Sequence, residues 1–417
     1  MELALDTFDL DPDEVRRRFQ SAREKGLPHW PWPDVAVDRW HVALRAIGAT
    51  IATVLGSGPA GTPFDEDPDS LSIACYTSGT GPLLGFWAEK GLISAAPRVA
   101  PLLALHLAHN RLRMARMTRI AGDVVSALEA VGVEVTVLKG MHTAYAYFPE
   151  PGARPLSDID LLISSRDEAA AGKALSAIGF ERGKPSRWPP QVNWRLRDVA
   201  PEPRTLCLVH ADDPWSVDLQ TSLSSRTAGG GRVARFEEVR HEFSRARWAC
   251  SPKGAVLDQP LQLLQLASHA SCDLRSLTLL RMVELITVIR RDEASGSLVW
   301  GEFLELGQRT GALAFVYPAL QCCEKISPGT IPVEALERCR RAAPETVRRI
   351  FERVEPALTH CVERCSFGER YMWADTWALK ARQFGFELIP PTVTSLTDVW
   401  EIYGTRFRRL KRGTVTW

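Results

Sequence analysis

Two aspartates stand two residues apart inside an apolar run, in the stretch ARPLSDIDLLI at residues 153–163. Successive side chains of a β-strand point to opposite faces, so Asp158 and Asp160 share one face while Ile159 and Leu161 share the other. Two carboxylates this close repel each other unless a cation lies between them. Because hard divalent cations prefer oxygen ligands, we predict that this pair binds Mg²⁺ or Mn²⁺.

A third carboxylate lies in a second stretch of alternating character, SVDLQTSL at residues 216–223. Its apolar and polar residues alternate with a period of two, which predicts a strand with Asp218 on the polar face. Three carboxylates from two neighbouring strands could hold two metal ions about 3.5–4 Å apart, an arrangement used for displacement at phosphorus. We therefore predict that Asp158, Asp160 and Asp218 form one metal-binding catalytic site.

The segment VTVLKGMHTAYAYF, residues 135–148, supplies residues for an anionic ligand. It is typical of a strand that runs through Lys139 and Gly140 into a helix. Glycine permits close approach of the backbone to a ligand, and a helix N-terminus attracts anions. Lys139 adds a point charge, and Arg154 could contact a phosphate with two hydrogen bonds. We predict that Lys139, Gly140 and Arg154 bind the phosphates of a nucleotide.

The elements that must position these residues follow from hydrophobic periodicity. A long helix is predicted over residues 97–131, and helices dominate again from about residue 255. Between them the pattern predicts strands at 133–138, 156–163, 192–199, 205–210 and 216–223, with helices at 139–148 and 166–180. This order indicates an α+β fold, in which a small mixed β-sheet with helices is flanked by N-terminal and C-terminal helical regions.

Composition narrows the class of protein and of partner. The chain has 417 residues, of which 45% are hydrophobic and 24% charged, as in ordinary globular proteins. A net charge of +1 disfavours nucleic acid and membranes as partners, and the basic segment FRRLKRG at 407–413 is interpreted as a solvated end. No apolar run is long enough to span a membrane, and nine scattered cysteines favour a reducing, cytoplasmic setting.

Four motifs together resemble a known family. They are LKG at 138–140, YFP at 147–149, RPLSDIDLL at 154–162 and VDL at 217–219. Their order is similar to that of the nucleotidyltransferase superfamily with the polymerase-β-like fold, and more closely to its bacterial branch of uncharacterised nucleotidyltransferases. The resemblance is strong over residues 120–222 and weaker over the helices at 257–290.

The order of the predicted elements divides the chain into three domains, and the resemblance implies a chemistry. The domains are an N-terminal helical region at 1–96, a nucleotidyltransferase-like α/β core at 97–226 and a mainly helical domain at 227–417. Asp158 and Asp160 match the metal-binding pair of the family. Asp218 matches its third acidic residue, which helps to bind one metal and activates the attacking hydroxyl.

The resemblance also implies the substrates. They are a nucleoside triphosphate such as ATP, bound with Mg²⁺, and a small-molecule or peptide acceptor, because genes of this branch often neighbour those for peptide natural products or surface polysaccharides. The chain departs from better-studied relatives after Gly140. They carry Gly-Ser, whose serine contacts phosphate, whereas this chain has Met141.

Three functions are therefore kept open. The first is Mg²⁺-dependent transfer of a nucleoside monophosphate from a triphosphate to the acceptor. The second is a non-catalytic module with a nucleotidyltransferase-like scaffold that binds a peptide or protein. Met141 suggests this hypothesis, because it replaces the serine that contacts phosphate in relatives. The third is a metal-dependent glycosyltransferase, which is disfavoured because a single helix separates the LKG motif from Asp158.

Overall fold

The computed structural model of the chain describes residues 9–25, 31–32, 34–56, 65–187, 190–197, 203–226, 233–243, 246–250, 254–272, 276–361 and 371–388. The basic segment at 407–413 lies outside them. The helices before the sheet are α1 (Pro12–Lys25), α2 (Val37–Gly56), α3 (Pro68–Ser78), α4 (Gly81–Glu89) and α5 (Ala100–Ala130). Within the sheet region lie α6 (Lys139–Ala146) and α7 (Glu168–Ala177). The later helices are α8 (Leu261–Ser271), α9 (Leu279–Ala294), α10 (Trp300–Thr310), α11 (Leu313–Ile326), α12 (Val333–Ala342), α13 (Glu345–Arg353) and α14 (Trp377–Leu388).

The strands are β1 (Thr136–Val137), β2 (Asp158–Leu162), β3 (Phe180–Arg187), β4 (Pro190–Leu196), β5 (Ser216–Gln220), β6 (Ser225–Arg226), β7 (Val233–Ala234), β8 (Ala246–Arg247) and β9 (Ala255–Val256). Seven of them form one sheet in the order β3-β4-β5-β2-β1-β9-β8, and β6 pairs with β7 separately. The large sheet is mixed, because β2 runs parallel to β5 and antiparallel to β1. The predicted α+β class with a small mixed sheet between helical regions is confirmed.

The two faces of β2 pack into two different hydrophobic cores. Ile159, Leu161 and Ile163 are fully buried in a core that contains the C-terminal half of α5 and helix α7. Leu162, which points to the opposite face, belongs to a larger core formed by the N-terminal and C-terminal helices. Because side chains alternate along the strand, Asp158 shares the face of Leu162. The acidic face of β2 therefore looks towards the helical part of the molecule.

The large helical core joins elements that are far apart in the chain. Residues of α2 and α3 pack with residues of α8 to α13 in one continuous cluster. The division into three domains at residues 96 and 226 stays a prediction. In the part of the chain that the structure describes, no helix is both long enough and apolar enough to cross a bilayer.

The structure lacks one predicted strand and contains one long strand that the sequence pattern does not predict. Residues 205–210 form no strand, because side chains there bind the backbone and replace a strand ladder. Thr205 Oγ1 accepts a hydrogen bond from the backbone N–H of Cys207 at 3.1 Å. Asp213 accepts backbone N–H bonds from Arg204 and His210, both at 2.8 Å. Strand β3 was not predicted, because its FERGKPSR sequence has no alternation; as an edge strand it tolerates Gly and Pro.

Arg113, in the middle of α5, braces the starts of both acidic strands. Its buried guanidinium donates to the carbonyl of Leu156, two residues before β2, at 3.1 Å. It also donates to the carbonyls of Asp213 and of Pro214, which lie three and two residues before β5, with 3.1 Å to Pro214. One side chain therefore sets the relative position of two strands that are remote in sequence.

We expect Arg113→Met to lower the free energy of unfolding by about 3–5 kcal/mol, because three buried carbonyls lose their charged donor. Chemical denaturation monitored by circular dichroism measures the loss. The matched control is Arg116→Met on the next turn of α5, where the side chain is 52% exposed and paired with Asp212. That change is expected to cost about 1 kcal/mol or less. Equal losses for the two variants would contradict the bracing role of Arg113.

Candidate metal centre and nucleotide site

The parallel pairing of β2 and β5 brings the three predicted carboxylates together. The strands are in register, so that Asp160 lies beside Asp218 and Asp158 beside Ser216. One oxygen of each of Asp158, Asp160 and Asp218 lies within 4.8 Å of the others. In a parallel ladder, residues in register on neighbouring strands point to the same face. The alternation that each strand showed separately therefore becomes a single acidic cluster.

Polar side chains from the same sheet orient two of the three carboxylates. Asp218 Oδ1 accepts hydrogen bonds from the hydroxyl of Ser216 at 2.9 Å and from the amide of Asn193 on β4. Asp160 Oδ1 accepts a hydrogen bond from the amide of Gln220. Such partners hold an anionic ligand in place and leave its other oxygen atom for a cation.

Burial and mutual repulsion set the protonation of the cluster. Burial, with the charges of Asp160 and Asp218, raises the pKa of Asp158 to about 6, although Lys139 opposes the shift. Burial also raises the pKa of Asp218, against its hydrogen bond from Ser216. The protein thus holds several carboxylates where each disfavours the charge of the others. A divalent cation with oxygen ligands fits this donor set, since it would remove the repulsion.

Lys139 extends from the start of α6 into the cluster. Its Nζ lies 3.0 Å from Asp160 Oδ1, and the two side chains are only 7% and 9% exposed. The backbone explains the proximity, because the N–H of Leu138 donates to the carbonyl of Asp160 at 3.0 Å. Lys139 adopts φ +45°, the one positive φ of a non-glycine residue in the described part of the chain. A residue with a Cβ disfavours this conformation.

Gly140 and Arg154 lie against each other. A Cβ on Gly140 would lie 2.4 Å from Arg154 Nη1 and 2.3 Å from Leu156 Cδ2, so the packing of these side chains requires glycine. Arg154 is 2% exposed and its Nη2 lies 2.7 Å from Glu284 Oε1 on α9. The phosphate contacts of Lys139, Gly140 and Arg154 stay predictions, while the structure gives Lys139 and Arg154 carboxylate partners.

Three residues of the C-terminal helices belong to this neighbourhood and were not predicted from the sequence. Glu284 is 1% exposed and accepts hydrogen bonds from Arg154 and from the hydroxyl of Thr143, which tie α9 to α6 and to the segment before β2. Arg281, one turn earlier, opposes the raised pKa of Asp158 and lies 3.4 Å from Glu284. Lys139, then burial, holds the pKa of His269 on α8 well below its usual value. The sequence did contain a signal for two of these residues, because Arg281 and Glu284 are charged residues inside the apolar run LLRMVELITVI.

Since Asp158 carries an unfavourable charge, we expect Asp158→Asn to stabilise the metal-free protein by about 2 kcal/mol at pH 8. The folded pKa of about 6 lies above the ordinary 3.8, so the wild-type penalty is present above pH 6. The gain should shrink as the pH falls from 6 towards 4, where the wild-type carboxyl takes up its proton. Denaturant unfolding in a chelator between pH 8 and pH 4.5 measures this difference.

The control for this prediction is Asp123→Asn, which removes an exposed carboxylate on α5. It should change the free energy of unfolding by no more than about 0.5 kcal/mol at either pH. An Asp158→Asn protein that is less stable than the wild type at pH 8 would contradict the prediction, as would a gain independent of pH.

Comparison with known proteins agrees with this geometry. The family described as Uncharacterised nucleotidyltransferase matches residues 66–328, which is well over half of the 417 residues and includes every residue of the cluster. The chain matches no curated protein and no solved structure. The extent of this match shows that the chain belongs to the uncharacterised nucleotidyltransferase family.

Proposed function

We propose that the protein is a Mg²⁺-dependent nucleotidyltransferase that transfers a nucleoside monophosphate from a nucleoside triphosphate to a small-molecule or peptide acceptor. The observation that carries the proposal is the in-register pairing of Asp160 with Asp218, which gathers three carboxylates within 4.8 Å. Membership of a nucleotidyltransferase family makes a triphosphate the natural ligand of such a cluster.

Each carboxylate has a role in this proposal. Asp158 and Asp160 bind the cation, which, when present, neutralises negative charge on the triphosphate. Asp218 shares in that binding and takes the proton from the attacking group of the acceptor. Its raised pKa suits this task, because a carboxylate with a higher proton affinity is a better base. The amide of Asn193 and the hydroxyl of Ser216 keep this carboxylate oriented.

The phosphates are bound by cations on the side of the helices. Arg281 is the best supported of these, because its side chain is 27% exposed and its charge acts on Asp158. The neighbouring Glu284 already forms an ion pair with the buried Arg154 at 2.7 Å. The positive charge of Arg281 is therefore not needed to balance Glu284 and is available to a phosphate. Lys139, at the N-terminus of α6, supplies a second positive charge, 3.0 Å from Asp160 Oδ1. A triphosphate bound at the carboxylates would meet positive charge from Lys139 on α6 and from Arg281 on α9.

The acceptor is proposed to be a small molecule or a peptide, as the family resemblance implies. The net charge of +1 supports this choice over a nucleic acid, because polyanion binding depends on an excess of basic residues. The further proposal that the transfer belongs to natural-product biosynthesis depends on the resemblance alone.

We expect the wild-type protein to bind at least one of the four ribonucleoside triphosphates in the presence of Mg²⁺, measured by isothermal titration calorimetry. Asp160→Asn and Asp218→Asn should each weaken that binding by about a hundredfold, or about 2.7 kcal/mol, since a cation ligand is lost. Asp123→Asn, on the exposed side of α5, should bind as the wild type does. Circular dichroism establishes that the variants are folded.

Transfer itself is tested with acceptor mixtures and triphosphates labelled at either the α or the γ phosphate. Nucleotidyl transfer places the α label on the acceptor and releases pyrophosphate, whereas phosphoryl transfer places the γ label there. A folded wild-type protein that binds none of the triphosphates with Mg²⁺ or Mn²⁺ would overturn the proposal and favour the non-catalytic binding module.

A further inference from the structure

The ammonium group of Lys139 lies among the oxygen atoms that a metal ion would use. It is 3.0 Å from Asp160 Oδ1, and both side chains are nearly buried. Its charge also lowers the proton affinity of Asp158 and of Asp218, so one cation acts on all three carboxylates. The same ammonium, then burial, holds the pKa of His269 on α8 well below its usual value, so that this imidazole is neutral. Lys139 is thus a cation that the cluster holds in direct contact without a metal.

The backbone of Lys139 indicates that this position is maintained against a local cost. Its φ of +45° lies in the left-handed region, which a side chain with a Cβ disfavours. Gly140, the residue that could adopt such a conformation freely, is instead enclosed by Arg154 and Leu156. Unfavourable backbone conformations that persist in folded proteins cluster at functional sites. The conformation here directs a lysine from the start of α6 onto the middle of β2.

We propose that Lys139 is an internal counter-cation that competes with the divalent metal for Asp160 and moves to the phosphates when metal and nucleotide bind. This inference rests on the proposed function, and it assigns to Lys139 a role in controlling metal affinity. Lys139 is a positioning residue in the metal-free protein and becomes a ligand-contacting residue in the loaded one.

The competition follows from charge and geometry. Oδ1 of Asp160 already accepts from Lys139 and from Gln220, so a cation that binds the other oxygen of Asp160 shares a carboxylate whose charge the ammonium group already offsets. A divalent ion and an ammonium group a few ångströms apart also repel each other. The lysine therefore weakens metal binding to the empty site. A triphosphate offers the displaced ammonium a new anionic partner, which removes this penalty and makes metal and nucleotide binding mutually favourable.

The functional consequence is a site that takes up metal and nucleotide together. The empty protein holds divalent metal weakly, because its own lysine pairs with Asp160 and offsets part of the negative charge of the cluster. Binding of the triphosphate then raises metal affinity, and by thermodynamic reciprocity the metal raises nucleotide affinity by the same factor.

The test measures Mn²⁺ binding by electron paramagnetic resonance and calorimetry, without nucleotide, for the wild type and for Lys139→Met. We expect Lys139→Met to bind Mn²⁺ about tenfold more tightly than the wild type. In a chelator the variant should melt at a lower temperature than the wild type, because buried carboxylates lose their counter-charge, and Mn²⁺ should raise its melting temperature by more. Lys139→Gln, which keeps a hydrogen-bond donor without the charge, should show the same gain and replaces Lys139→Met should that variant fail to fold.

The matched control is Lys90→Met, which removes an exposed lysine that lies 3.3 Å from Glu89. It should leave Mn²⁺ affinity unchanged. The second expected result is a loss of coupling: a non-hydrolysable triphosphate should raise the Mn²⁺ affinity of the wild type by several-fold more than that of Lys139→Met.

Two results would overturn the inference, and they are distinguishable. If Lys139→Met and Lys139→Gln bind Mn²⁺ no more tightly than the wild type, while Asp160→Asn loses Mn²⁺, then the lysine does not compete and the proposed function stands. If the wild type and both lysine variants bind no Mn²⁺ with or without triphosphate, then the metal site itself, and the proposed function with it, is wrong.

Discussion

The parallel, in-register contact between β2 and β5 is the interaction on which the rest of the site depends. It sets Asp160 beside Asp218 and Asp158 beside Ser216 on one face of the sheet. A shift of either strand by one residue would turn its carboxylates to the opposite face, into the core around Ile159 and Leu161. The apolar residues of the two strands therefore hold the register, and the acidic residues use it. Arg113 supports the same register from outside the sheet by binding the backbone before each strand.

The register of β2 and β5 has an energetic cost, because it brings three aspartates close together at a largely buried site. The raised pKa values of Asp158 and Asp218 express that cost, and Lys139 offsets part of it. Stability and function are opposed at such a site, since the arrangement that disfavours the empty protein is the one that favours a divalent cation. The two hydrophobic cores on either side of β2 supply the stability that holds the carboxylates in place.

The helices after the sheet contribute charge as well as packing. Glu284 on α9 accepts from Arg154 and from Thr143, so the ion pair fixes α9 against α6 and against the turn before β2. Tyr147 strengthens this contact through its hydroxyl, which donates to Asp292 at 2.8 Å. Because α9 is held in this way, Arg281 comes close enough to influence Asp158. The position of the helical part therefore decides which cations surround the carboxylates.

The sequence by itself determined the local elements and the faces of the strands. Alternation within LSDIDLLI and SVDLQTSL was enough to predict two strands with an acidic face each, and the helix at 97–131 was confirmed as α5. These features depend on neighbours within a few residues, so the period of the pattern reveals them. The pattern predicted a strand wrongly at residues 205–210, where the side chains of Thr205 and Asp213 accept hydrogen bonds from the backbone in place of another strand.

The tertiary structure alone decided which strands are neighbours and which charges meet. The partners of Lys139 and Arg154 are Asp160 and Glu284, which follow them by 21 and 130 residues. The amide of Asn193 reaches Asp218 only because β4 pairs with β5. A charged side chain can pair with any opposite charge that folding brings near, and no local pattern encodes that choice. The sequence therefore predicted which residues could bind a metal or a phosphate, whereas the partners of these residues depended on the packing of the sheet against the helices.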